Sequence, residues 1–357
     1  MLSRDPFEKK LNATIIPQDF APEEKIRIYG ELKAEADKVL PEKLYRFRRC
    51  NEYSMSAFAN DEVWVSKSSL MNDGFDARPY VVMEEIKARI GQLCQPIGEQ
   101  EFIHHLFLHI GKNADLKKLR KHLEGLSQDE LQARLMEIYD YVVNDMIQAS
   151  LLIPVVAQQT IKIGCFTEEL VSPYMWGLYA DNEAGFALEY DFRDMPAVEP
   201  EYYGKKREAY LCPVLYGQDR YNVPTEYVLY LLEIRLLYQL MGQSEIPNYS
   251  NEMQQTLSEI LPCPDETVPE KISLHKSELW KQETEWRLFV TGDNDDIDFH
   301  TKDAGCCIKK PTALYLGRRV SSFNERILRT LANEKGIPVY KMGLDDHSPS
   351  YQLVVEK

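Results

Sequence analysis

Polar and apolar positions alternate most sharply in two places along the chain. In Leu44-Tyr45-Arg46-Phe47-Arg48, Tyr45 and Phe47 are set against Arg46 and Arg48, the period of two expected of a half-buried strand. Residues 284–290 repeat the pattern, with Trp286, Leu288 and Val290 turned to a core and Glu285 and Arg287 turned the other way. Glu283, two positions earlier, is expected on the same charged face. Further strands are predicted at 62–66, 161–167, 186–190, 212–216, 313–316, 339–342 and 352–355.

Helical periods fill most of the remainder. Pro22-Glu23-Glu24 supplies a first-turn proline and acids at the positive end of a helix, whose apolar stripe is Ile26, Tyr29, Leu32, Ala36 and Val39. Pro41 closes it. Apolar residues recur at helical spacing over 81–93, 99–112, 116–123 and 131–152, and Ser127-Gln128-Asp129-Glu130 has the form of a capping box. Shorter or later helices are predicted at 172–180, 223–242, 251–261 and 324–334. Residues 70–76 form a turn-prone segment.

Strands interspersed with helical blocks, without repeats, predict an α+β fold with a central, mostly antiparallel, split sheet and flanking helices. The expected organisation is an N-terminal helical segment over 1–43 and one α+β domain over 44–357. A helical insertion at about 80–152 covers one end of the sheet.

Composition narrows the function classes. A chain of 357 residues can bury a full core. Its formal net charge of −15 weighs against non-specific binding to nucleic acid or to an anionic membrane. No apolar run approaches membrane-spanning length and the first residues lack the apolar core of a secretion signal, so a cytoplasmic protein is expected. The seven cysteines are odd in number and form no Cys-x-x-Cys pair, which fits a reducing compartment and weighs against structural zinc. Cys306 and Cys307 read as ordinary strand or loop residues.

Two carboxylates beside a guanidinium can hold a sugar hydroxyl, steady a developing cation or ligate a metal. They can also form a solvated face. One enzyme reading takes Asp73, Asp76, Glu283 and Glu285 as metal ligands of a hydrolase or nuclease, with Lys276 or Lys281 near the phosphate, although these acids match no recognised ligand spacing. A non-catalytic module would use Trp176, Trp280 and Trp286 as core anchors and the charged face as an interaction surface. His105 and His109 lack the intervening glutamate of a zinc-protease helix. The loop 293–296 lacks the glycine and distal glutamate of a calcium loop. No metal site is assigned.

Several stretches together resemble the bacterial domain-of-unknown-function family 2971. They are Tyr45-Arg46-Phe47-Arg48, Trp64-Val65-Ser66, Asn72-Asp73-Gly74-Phe75-Asp76, Cys165-Phe166-Thr167, Met175-Trp176-Gly177-Leu178-Tyr179-Ala180 and the stretch Trp280 through Arg287. The resemblance runs from about 44 to 342 and departs at Gly74, where the family favours proline, and at Thr167, where it favours serine. The family name carries no activity. An arginine on an early strand, a serine on the next and Glu-x-Glu on a late strand are also similar to the arginine, serine, glutamate signature of ADP-ribosyltransferases, although the usual Ser-Thr-Ser form is absent. That resemblance implies NAD as co-substrate, with Arg46 or Arg48 on its phosphates or ribose and Ser66 supporting the nicotinamide ribose. It further implies Tyr179 stacking on nicotinamide, Asn72 and Arg287 on the cofactor side, Glu285 as the catalytic glutamate and Glu283 positioning the acceptor. The acceptor is an unknown macromolecule or water, and the implied setting is bacterial conflict, as a toxin or antiphage effector. The chemistry fits the residue types: cleaving nicotinamide from ribose creates an oxocarbenium-like sugar that a fixed carboxylate stabilises, and a pyrophosphate needs arginine forks.

Overall fold

The computed structural model describes residues 3–93, 127–193, 199–202, 205–240, 262–291, 304–347, 349 and 351–356. The helices predicted at 99–112, 116–123 and 251–261, the pair His105 and His109, and the loop 293–296 lie outside the described residues.

The strands are β1 (Leu44–Arg48), β2 (Glu62–Lys67), β3 (Lys162–Thr167), β4 (Phe186–Tyr190), β5 (Glu199–Tyr202), β6 (Lys205–Pro213), β7 (Leu215–Gly217), β8 (His275–Ser277), β9 (Glu285–Thr291), β10 (Ala304–Ile308), β11 (Ala313–Leu316), β12 (Val339–Leu344) and β13 (Leu353–Glu356). The main sheet runs β13-β12-β11-β4-β1-β3-β9-β6-β5. It is open and mostly antiparallel, with β11 and β12 the parallel pair within it. β7 and β8 form a separate parallel ladder. The expected strand at 212–216 is in fact the end of β6 and the start of β7, parted at Val214.

Two junctions open this sheet where the site will sit. β1 pairs with β4 along its whole length but meets β3 at one register position, Tyr45 opposite Thr167. β2 joins the other end of β3, through Ser66 opposite Ile163 and Lys67 opposite Lys162, and continues into β10. The β2–β10 ribbon packs over the sheet face that carries Phe166, Trp286 and Leu288, adding Val63, Val65 and Cys307 to their cluster. At Gly164 a Cβ would press against Val65 at 3.1 Å, so glycine lets β2 cross closely there.

Both faces of the sheet are therefore covered, and β1 is not the half-buried strand its alternation predicts. Tyr45 and Phe47 pack with Trp176, Ala187 and Tyr315, while Arg46 on the opposite side is itself buried. The helices doing the covering are α1 (Asp5–Ala13), α2 (Pro22–Asp37), α3 (Glu52–Ala59), α4 (Met83–Leu93), α5 (Gln128–Thr160), α6 (Pro173–Tyr179), α7 (Thr225–Leu240), α8 (Val268–Leu274) and α9 (Ser322–Lys335). α5 starts directly after Ser127 as the capping box predicts, but it runs on past 152 and through Pro154. In α2 the predicted stripe is only half used: Leu32 and Ala36 are buried whereas Ile26 is exposed. α4, α5 and α7 pack together around Ile86, Ile90, Met146, Val228 and Leu232. α1 and α2 join the main body by burying Phe7, Leu11, Leu32 and Ala36 against Ile163, Leu215, Leu274 and Phe289.

Candidate functional site

A cleft of about 380 Å³ lies where β1 and β2 part over β3. β1 gives it Arg46 and Arg48, β2 gives Ser66, and the turn after β2 gives Asn72 and Asp76. Tyr179 enters from the end of α6, and Lys276, Glu283 and Glu285 form its acidic end. All the residues implied by the ADP-ribosyltransferase resemblance line this cavity except Arg287. Its size falls within the ~300–1,000 Å³ common to small-ligand sites.

The acidic end is a closed network. Lys276 on β8 places Nζ 2.6 Å from Glu283 Oε2, 2.7 Å from Glu285 Oε2 and 4.0 Å from Asp76 Oδ2. Arg287 reaches Glu285 through Nε at 3.0 Å and Asp76 through Nη2 at 2.7 Å, and a further donor goes to the Ser273 carbonyl. Three carboxylates thus face two cations, and every one of these side chains is buried, Arg287 fully so. The charged face of β9 is interior, against the alternative of a solvated face. Arg287 sits behind Glu285, outside the cleft lining and with its guanidinium given to protein acceptors.

Glu283 does not stand on β9, as alternation predicts. It ends a short 3-10 turn, Glu278–Glu283, and Thr284 follows in the left-handed region at φ 43° and ψ 47° before β9 begins at Glu285. A β-branched residue at this backbone position is a genuine outlier, and such strain persists only where neighbours over-determine it. The neighbours are visible. Thr167 Oγ1 donates to the Glu283 carbonyl at 2.6 Å, and the Glu285 amide donates to Tyr216 Oη at 2.8 Å. The kink brings both carboxylates onto one ammonium.

Environment then separates the two glutamates. Burial alone would raise the Glu285 carboxyl, but the Arg287 and Lys276 charges outweigh it and hold it well below its ordinary range. Burial raises Glu283, and the pull of Lys276 does not fully offset it. Burial and the Glu285 charge likewise raise Asp76, against the pull of Arg287. Tyr179 Oη donates to Glu283 Oε1 at 2.5 Å and accepts from Asn72 Nδ2 at 3.0 Å. The same network therefore pushes the two carboxyls in opposite directions, Glu285 down and Glu283 up. Cys165 also lines the cleft, where burial and then Glu285 push its thiol up and keep it protonated.

The basic end is built on the opposite principle. Arg46 donates to the Trp64 carbonyl across the gap between β1 and β2 and lies 5.3 Å over the Phe166 ring, yet its buried Nε has no partner. Arg48, half-buried beside it, donates at 3.3 Å to the Phe47 carbonyl. Among the described residues neither guanidinium has a carboxylate partner. Burial, and for Arg48 also the Arg46 charge, pushes both downwards, Arg48 to about 9. Glycine at 185 keeps the end of β1 in place, since a Cβ there would overlap the Arg48 carbonyl.

Of the metal-reading residues, Asp76, Glu283, Glu285 and Lys276 meet. Asp73 instead caps the Phe75 amide at 2.9 Å, and Lys281 is exposed. Among the described residues no group of three or more His, Cys, Asp or Glu side chains is arranged to hold a metal ion. Sequence reasoning quoted Thr167 in the Cys165-Phe166-Thr167 motif without seeing it as the brace of the kink, and it missed Arg4, which reaches the back of β9 and carries no local motif.

Residues 175–288 match the model of a family described as protein of unknown function (DUF2971). The match is narrower than the expected 44–342: it holds Tyr179, Lys276, Glu283, Glu285 and Arg287, but neither β1 nor β2. No curated protein and no solved structure matches the chain, and nothing among these comparisons bears on ADP-ribosyltransferases. Among the described residues no helix is long and apolar enough to cross a membrane.

Proposed function

We propose that the cleft binds NAD and that the protein is an ADP-ribosyltransferase-like enzyme, passing ADP-ribose to a macromolecular acceptor or to water. The observation that carries this reading is the polarity of one cavity, with arginines that have no carboxylate partner among the described residues at one end and a fixed carboxylate at the other. NAD has the complementary polarity, an anionic pyrophosphate and a cationic nicotinamide ribose. In this reading Arg46 and Arg48 take the pyrophosphate, Ser66 contacts the nicotinamide ribose and Tyr179 and Asn72 border the ring.

The reaction then follows from the two glutamates. The bond between ribose C1′ and the nicotinamide nitrogen breaks, and the electron pair leaves with neutral nicotinamide. Glu285, whose carboxyl Arg287 and Lys276 hold below its ordinary range, stabilises the positive charge spreading over the ribose. The acceptor attacks C1′ and gives its proton to Glu283, the carboxyl that burial raises above its ordinary range. Lys276 holds both carboxylates in place.

A metal-dependent nuclease or hydrolase is the second reading, because Asp76, Glu283 and Glu285 converge on Lys276, although among the described residues they form no group arranged to hold a metal ion. Against it, their inner oxygens are already turned on an ammonium. Incubating the protein with NAD labelled in the adenosine half, with and without cell lysate, separates the readings. Nicotinamide release that survives chelation supports the first. Metal-dependent cleavage of a phosphodiester with NAD untouched would replace it with the second.

A further inference from the structure

Resting on the reading above, we propose that Arg4, near the start of the chain, is a positioning residue for the Glu283–Glu285 pair, which makes α1 part of the catalytic unit. Arg4 Nη1 donates to the Glu285 carbonyl at 3.0 Å and to the Val214 carbonyl at 2.8 Å. Its Nη2 lies 2.6 Å from Glu168 Oε1, and its guanidinium stands 5.5 Å over the Trp286 ring. Glu168 Oε1 also accepts from Trp286 Nε1 at 2.8 Å. One side chain therefore ties the ends of β3 and β6 to the first two residues of β9.

That place is where the backbone is strained. Thr284 is left-handed, and the chain must turn there from the 3-10 segment into β9 with both carboxylates aimed at Lys276. Thr167 pins the carbonyl before the kink and Tyr216 pins the amide after it. Arg4 pins the next carbonyl, which also accepts from the Val214 amide at 3.0 Å. The Arg4 side chain is largely shielded from water, at 14% exposure, so these charge-assisted bonds are stronger than surface ones. α1 anchors it by burying Phe7 and Leu11 against Leu274 and Phe289, and Leu274 directly precedes β8, the strand of Lys276. Arg4 touches neither the cleft nor the reacting atoms; it acts through the backbone of Glu285.

The test compares Arg4→Ala and Arg4→Lys with the unaltered protein in NAD turnover and in amide hydrogen exchange. Arg4→Ala is expected to lower kcat about tenfold with KM for NAD unchanged, because Arg46 and Arg48 are untouched, and Arg4→Lys to recover part of the loss. Exchange at Thr284, Glu285 and Trp286 should quicken while the β4 and β11 amides keep their protection. A KM rise that equals the kcat loss, unchanged kcat and exchange, or uniform quickening of all amides would overturn the proposal. If the unaltered protein does not cleave NAD, the reaction reading fails by itself, and the exchange pattern alone decides whether Arg4 holds the kink.

Discussion

The two ends of the cleft hold similar charges in dissimilar ways. Lys276 and Arg287 are surrounded by carboxylates within ion-pair distance and are buried with them. Among the described residues Arg46 and Arg48 have backbone carbonyls and an aromatic ring but no carboxylate, and the buried Nε of Arg46 is unmet. An unpaired buried charge costs folding free energy, whereas a paired buried network offsets much of its desolvation penalty and is strongly destabilising when one partner is removed. The first set is read as a fixed scaffold for Glu283 and Glu285, the second as a place kept for an anion from outside.

The sharpest way to break that contrast is to remove a cation from each end. Lys276→Met leaves three buried carboxylates against Arg287 alone and is expected to destabilise the fold by ~3–5 kcal/mol, read by denaturant unfolding. Arg46→Met removes an unmatched charge, so its unfolding free energy should stay within ~1 kcal/mol of the parent or rise. If both variants lose stability alike, the two ends do not differ in the way described.

Catalytic effects come next in size. Glu285→Gln keeps the shape but loses the fixed charge, and kcat for nicotinamide release is expected to fall by roughly 10²–10³-fold. For Arg46→Met the expected change is in KM for NAD, about tenfold upwards, with kcat little altered.

The pH profile sharpens the division between the glutamates. A base must be deprotonated to act, so the acid limb of kcat/KM should lie above the ordinary glutamate range, because burial raises Glu283. Glu283→Gln should abolish that limb. Glu285 contributes in the other direction. Its folded-state carboxyl is held below its unfolded value, so the stability it supplies is present at neutral pH and is lost only as the pH falls through that lowered value. The smallest expected effect is that of Ser66→Ala, about one hydrogen bond to ribose or ~1 kcal/mol in kcat/KM.

Much of this arrangement is legible along the chain, and each part that is not has its own physical cause. The alternation in 44–48 and 284–290 gives β1 and β9, and Ser172-Pro173 marks the start of α6, where the Ser172 hydroxyl accepts from the Met175 amide. Alternation reports which side chains share a face but not what covers that face. The charged side of β9 reads as wet because its cover is Asp76, from a distant segment, and Lys276, from a short strand that the local pattern does not announce. A left-handed Thr284 is invisible because no propensity favours a β-branched residue there, so Glu283 reads as a strand residue. Arg4 is silent for another reason, since its partners lie more than 160 positions away. The short helices α1, α3 and α8 escape because so few turns carry little period.

The most direct test of the central claim is release of nicotinamide from NAD by the purified protein, followed in parallel with Glu285→Gln and with metal chelated. The account predicts release, or transfer of labelled ADP-ribose to a lysate acceptor, that chelation leaves intact and the substitution suppresses at least a hundredfold. Equal release by both proteins, or no binding of NAD to a cleft whose arginines stay unmatched, would contradict it.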